Sequence, residues 1–171
     1  MIYLALMKNR RAFTLIELLL TVGIISLLAV AVFVALNPSK RLLDTKNARR
    51  TTDVDTILSA IHQSIVDNRG NYPTGLSAGM LERQLGTAGS GCSTTLANCN
   101  VTIANDACLN LMLVASAQDL LPYLAAMPVD PDGTAVWPSG ETGYSVVVNS
   151  DGIVTVRACG AEGGASIAAS R

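Results

Sequence analysis

The longest uninterrupted pattern in the chain is apolar: Leu18 to Leu36, LLLTVGIISLLAVAVFVAL, nineteen residues without a charge. At about 1.5 Å per residue a helix of that length is roughly as long as the hydrocarbon core of a bilayer is thick, so a membrane-spanning helix is predicted. Past Pro38 the pattern changes. Leu42, Leu43, Val54, Ile57, Leu58, Ile61 and Ile65 include the i, i+3, i+4, i+7 spacing of one helix face, with Lys40, Arg41, Lys46, Arg49, Arg50, Asp53, Asp55 and Asp67 on the others. Pro38 has no N–H and interrupts a helix, which leaves two arrangements: a kinked but continuous helix, or a stop followed by a new helix capped by Ser39. The renewed periodicity favours the first, a helix from Phe13 to Asp67 about 80 Å long.

Turn formers crowd Asn68 to Gly75, with Gly70 where a C-cap residue would sit. Residues 76–108, rich in Gly, Ser, Thr, Ala and Asn, read as a surface loop. The apolar stretch Leu109 to Met127 leaves room for a short helix around Ser116 to Leu124, limited by Pro122 or carrying it in its first turn, or for a strand. Tyr144 to Val148 and Ile153 to Arg157 read as strands, joined by Asn149-Ser150-Asp151-Gly152 as a hairpin turn. The expected fold class is α+β, with a long N-terminal helix packed on a small antiparallel sheet.

Composition sharpens this picture. Half of the 171 residues are apolar and 15% are charged, with 12 Lys and Arg against 13 Asp and Glu. One domain plus an apolar segment fits that length, and no net positive charge is left to drive binding to nucleic acid phosphates. Lys8, Arg10 and Arg11 precede the span without an acid, which places residues 1 to 12 in the cytoplasm and the bulk of the chain outside. A cleaved secretory signal is disfavoured because the run is too long and ends in Leu36-Asn37-Pro38 without an A-x-A exit. A plain signal-anchor accounts for length and orientation but not for Glu17, a carboxylate at the edge of an apolar span, where charge is costly.

The run Arg10-Arg11-Ala12-Phe13-Thr14-Leu15-Ile16-Glu17-Leu18-Leu19, and the FTLIELLLTVGIISLLA stretch within Lys8 to Pro38, resemble the type IV pilin and type II secretion pseudopilin family. Asn71-Tyr72-Pro73 and Met127-Pro128-Val129-Asp130-Pro131-Asp132-Gly133 are similar to family segments as well. The resemblance implies a lollipop shape and four regions: a leader at 1–12, a membrane and filament-core helix at 13–38, an amphipathic half at 39–70, and a head at 71–171 with a variable loop at 76–108 and a C-terminal hairpin at 144–157. It implies cleavage by prepilin peptidase between Ala12 and Phe13, with Ala12 standing where the family usually has Gly, and N-methylation of Phe13. Glu17, with Phe13 and Thr14, would set subunit register, its carboxylate pairing with the amine of a neighbouring subunit. Met7 is an alternative start, since Met7 to Ala12 already has the short basic form.

The same resemblance implies an inner-membrane single-pass precursor with its head extracytoplasmic, then a homo-oligomeric filament built by an assembly ATPase and a membrane platform. Surface pilus and secretion pseudopilus share this N-terminus. The Asp-Pro-Asp likeness points to the pseudopilus, and the four cysteines with the long small-residue loop point to the pilus, which is the reading preferred. A monomeric signal-anchored binding domain is the rival of another class. An enzyme is argued against by a single histidine, His62, and by the lack of a nucleophile elbow, phosphate loop or metal motif.

Cys92, Cys99, Cys108 and Cys159 fall in the part assigned to the outside, where disulfides persist, and predict two bridges. Zinc is disfavoured, for there is no C-x-x-C pair. Of three possible pairings, Cys92 with Cys99 and Cys108 with Cys159 is preferred. Asp130 and Asp132, with Ser139 and Glu141 nearby, offer oxygen ligands for calcium, as the corresponding loop of major pseudopilins does, although D-P-D-G is equally a good turn. No other cofactor is expected. Asn100-Val101-Thr102 matches a glycosylation sequon. The basic run from Lys40 to Arg50 suits lipid headgroups or a neighbour's acidic face, and equally a solvated helix face.

Overall fold

The computed structural model describes residues 12–92, 99, 106–113 and 119–171. Its chain divides into two compact units between Arg41 and Leu42. Helix α1 spans Leu15–Leu36 and helix α2 spans Pro38–Asp67, so the only non-helical residue between Leu15 and Asp67 is Asn37. A long helical segment from Leu15 to Asp67 is as expected, but α1 stops at Asn37 and α2 begins anew at Pro38, instead of running on as the favoured kinked, continuous helix, and the cap is not Ser39. Proline disfavours α-helical backbone in the residue before it, and Asn37 takes the left-handed conformation (φ 40°) that asparagine tolerates. Pro38 then occupies the first turn, where its missing N–H costs nothing, and the Asn37 side chain accepts the Lys40 N–H at 3.4 Å.

The face of α2 formed by Val54, Ile57, Leu58, Ala60 and Ile61 is buried, with Ile65 packed at its margin, whereas Leu42 stays exposed. Arg50, expected on the solvated side, is completely buried. At the other end the helix stops in a Schellman motif: Gly70 N–H donates to Ile65 O at 2.8 Å and Arg69 N–H to Val66 O at 3.2 Å. The left-handed position is thus Arg69 (φ 58°), with Gly70 one residue beyond it.

Against α2 lies a four-stranded antiparallel sheet in chain order: β1 Met80–Gly86, β2 Glu141–Val148, β3 Val154–Ala158 and β4 Ala168–Ser170. The expected hairpin is β2–β3, closed by Gly152 N–H to Asn149 O, and its cross-strand pairs Tyr144–Ala158, Val146–Val156 and Val148–Val154 fill the core with the α2 face. Two strands depart from expectation. Strand β1 lies inside the stretch read as loop, because its buried positions include Glu82 and Gln84 while Leu81 is exposed, an inversion of the apolar-in pattern. Strand β4 is three small or polar residues, too short for periodicity to show. Of the short helix or strand allowed at Ser116 to Leu124, residues 116–118 and the Asn100 sequon lie outside the described residues, and Leu120 to Leu124 form one hydrogen-bonded turn.

The cysteines pair as Cys92–Cys108 and Cys99–Cys159, with Cα separations of 5.1 and 4.8 Å, which corrects the sequence-neighbour pairing. The chain after β1 returns alongside itself: Cys92 N–H donates to Asp106 O and Cys108 N–H to Ala88 O, setting Cys92 beside Cys108. Cys159 lies just past β3 with Cys99 and Trp137 packed against it.

Candidate functional site

The start of α1 is built by local capping. Thr14 is the N-cap and Glu17 the third helical residue; Glu17 N–H donates to Thr14 Oγ1 at 3.3 Å, and Thr14 N–H donates to Glu17 Oε2 at 3.4 Å. This reciprocal box satisfies two amides that a helix start leaves bare. It also leaves Ala12 and Phe13 outside the helix, exposed, with the scissile bond expected between them free of helical hydrogen bonding. Along α1 the hydroxyls are turned inward on their own backbone: Thr21 donates to Leu18 O at 2.9 Å and Ser26 to Val22 O at 2.8 Å. From Leu18 onward what α1 presents is therefore apolar on every side, and not one of its 22 residues is buried. The helix is long and apolar enough to cross a membrane.

In the second unit, α2 carries a cluster of charges built around Arg50. Its Nε and Nη2 donate to the two carboxylate oxygens of Asp130 at 2.7 and 2.9 Å. Nη2 also reaches Asp132 Oδ2 at 2.7 Å, and Nη1 reaches Glu162 Oε2 at 3.1 Å and Asn47 Oδ1 at 2.9 Å. Lys46 bridges to Asp132, while Asn47 exchanges hydrogen bonds with the backbone of Glu162. Two loops, 130–132 and 160–162, are thereby fastened to one turn of α2. The fit needs glycine: a Cβ on Gly160 would lie 2.5 Å from Asp130 Oδ2, and one on Gly143 would lie 2.7 Å from the Trp137 ring.

Electrostatics follow from these contacts. The Lys46 hydrogen bond, aided by Arg50, holds the Asp132 carboxyl below its usual range, and Asp132 in turn raises Lys46. Burial of Arg50 opposes its charge, but hydrogen bonds to Asp130 and Glu162 outweigh that and keep it protonated. Nearby, buried Tyr144 donates to Asp53 at 2.7 Å, and burial together with that bond pushes the phenol upward.

Residues 7–33 match the family model of the prokaryotic N-terminal methylation motif. The chain carries the prepilin signature. No curated protein and no solved structure matches the chain. The motif is the hallmark of prepilin-like proteins of the type IV pilin and pseudopilin kind, which are structural subunits and not enzymes. It implies processing by prepilin peptidase and assembly into a filament with membrane machinery, and with α1 it fits membrane anchoring before assembly. The α+β arrangement of the second unit, one helix on a four-stranded antiparallel sheet, is a pilin-like layout.

The structure places the expected calcium ligands differently from the sequence reading. Asp130 and Asp132 are brought together, but around the guanidinium of Arg50 and the ammonium of Lys46, so their charge is already matched. Glu141 turns toward Gln84, which donates to it at 3.2 Å. Among the described residues no group of three or more His, Cys, Asp and Glu is placed to hold a metal ion. The residue that sequence reasoning missed is Arg50. Its position was legible, since it falls four residues before Val54 and seven before Ile57, on the apolar stripe itself.

Proposed function

We propose that this prepilin is the subunit of a type IV pilus-like filament. Residues 1–12 are the leader, removed between Ala12 and Phe13, and the new Phe13 amine is methylated. Residues 13–38 form the filament core, 39–70 the amphipathic half of the helix, and 71–171 the head. The observation that carries the reading is α1: an entirely exposed apolar helix preceded by a non-helical Ala12-Phe13 and started by Thr14 and Glu17. Such a surface is stable only in lipid or among other apolar helices. Once packed there, the Glu17 carboxylate is too costly to leave unpaired, and the cationic Phe13 amine of an adjacent copy is its partner, which fixes register.

Two observations favour the pilus over the secretion pseudopilus. Side-chain cations hold the Asp130 and Asp132 loop, where pseudopilins resemble one another in using calcium, and two disulfides staple the head. The test is shearing of intact cells expressing wild type or Glu17→Ala. Wild type is expected in the sheared surface fraction, and Glu17→Ala in the membrane fraction, cleaved but unassembled. Wild type confined to the cell envelope in cells that secrete through a pseudopilus would instead assign the chain to that system.

A further inference from the structure

The two disulfides are interleaved along the chain: Cys92 joins Cys108 across 16 residues, and Cys99 joins Cys159 across 60. Each bridge therefore has one cysteine inside the other bridge's loop. This matters if the head is exported behind an N-terminal anchor, as proposed above, because Cys92, Cys99 and Cys108 then reach the oxidising compartment before Cys159. In an unfolded chain the probability of ring closure falls as about the three-halves power of loop length. Cys92 and Cys99 are seven residues apart, and Cys99 and Cys108 are nine. On that scaling the native Cys92–Cys108 pair is the first to close in only about one chain in seven.

All four sulfurs end inside the folded head, with Cys92 and Cys99 fully buried and Cys108 and Cys159 nearly so. A wrong bridge cannot be corrected after packing, since thiol–disulfide exchange needs access to the sulfur. We infer that folding of this subunit depends on an extracytoplasmic thiol–disulfide isomerase, a partner distinct from the oxidant that makes the bridges. The oxidant, a disulfide-bearing oxidase, takes two electrons from each cysteine pair and is itself reduced to a dithiol. Isomerisation is redox-neutral: an isomerase thiolate attacks the Cys92–Cys99 bridge, forms a mixed disulfide with one sulfur and releases the other as thiolate. With Cys92 held in the mixed disulfide, the released Cys99 thiolate attacks Cys159 of a second non-native bridge, Cys108–Cys159, which forms Cys99–Cys159 and frees the Cys108 thiolate; that thiolate displaces the isomerase from Cys92, closing Cys92–Cys108 and returning the isomerase thiolate.

The experiment is expression of the full chain in two bacterial hosts that both retain the periplasmic oxidase, one of them lacking the isomerase. Free thiols are trapped by alkylation and the bridges are mapped by mass spectrometry of unreduced peptides. Native pairing is expected to fall about sevenfold without the isomerase on the same scaling, with Cys92–Cys99 or Cys99–Cys108 peptides in its place. Two double variants, Cys92→Ser with Cys108→Ser and Cys99→Ser with Cys159→Ser, each leave a single possible bridge, and their oxidation should be equal in both hosts. If either fails to accumulate, the other carries the same comparison. Equal native pairing of the wild type in both hosts would overturn the inference while leaving the export reading intact. Four free thiols in both hosts would overturn the export reading, and the inference with it.

Discussion

Replacing Arg50 by alanine should be the most damaging single change in the second unit. Arg50 has no exposed surface, and it donates five hydrogen bonds: two to Asp130 and one each to Asp132, Glu162 and Asn47. Truncation leaves Asp130, itself 2% exposed, as a buried carboxylate that still accepts from the Asp132 N–H. Removing one member of a buried pair costs about 3–5 kcal/mol, dominated by the stranded charge, not by the sum of the lost bonds. Against a typical domain stability of about 5–15 kcal/mol, that is about a fifth of the total or more. At about 3–4 °C per kcal/mol for a unit of this size, the midpoint should fall by about 10–20 °C.

The assay is thermal and urea unfolding of the full chain in detergent, followed through Trp137, the single tryptophan, which is buried in this unit. Lys46→Met supplies the contrast, because its partly exposed bridge to Asp132 should be worth about 1 kcal/mol or less. The double change Arg50→Met with Asp130→Leu removes both charges and should recover most of the loss of Arg50→Ala. A loss under about 1 kcal/mol for Arg50→Ala, or a double variant no better than the single, would refute the stranded-charge reasoning.

Other expectations are more modest. Arg69→Gly should stabilise by about 0.5–1 kcal/mol in the same unfolding assay, since glycine holds the left-handed Schellman position without a Cβ penalty. Asp132 has a lowered pKa in the folded chain, so its contribution is complete above its ordinary value of 3.8 and is lost as pH falls through the lower folded value. Asp132→Asn should accordingly be destabilising at neutral pH, with the gap from wild type closing in acid. Calcium or a chelator at millimolar concentration should leave the midpoint unmoved, because Arg50 and Lys46 already neutralise Asp130 and Asp132; a rise with calcium would show that carboxylates remain free for it.

Much of this architecture was legible in the chain because its signals are periodic and strong. The charge-free span, the Val54 to Ile61 stripe and the β2–β3 hairpin each repeat one physical rule over many residues. Strand β1 was hidden because Glu82 and Gln84 are buried, Glu82 accepting a hydrogen bond from Ser145 and Gln84 donating one to Glu141, so the pattern looks inverted. The disulfide pairing was illegible for another reason. Proximity in sequence favours Cys92 with Cys99, whereas the return of the chain beside residue 88 is a tertiary fact. Arg50 shows the intermediate case: its place on the apolar stripe was readable, but its partners lie 80 or more residues away in loops whose path no local pattern encodes.

The central claim is that the chain is a prepilin cut between Ala12 and Phe13, and the intact mass of the protein from cells with and without prepilin peptidase tests it most directly. A mature chain beginning at methylated Phe13 is expected in the first and an uncut chain in the second. A protein of the same, uncut mass from both would contradict it and leave a signal-anchored domain in its place.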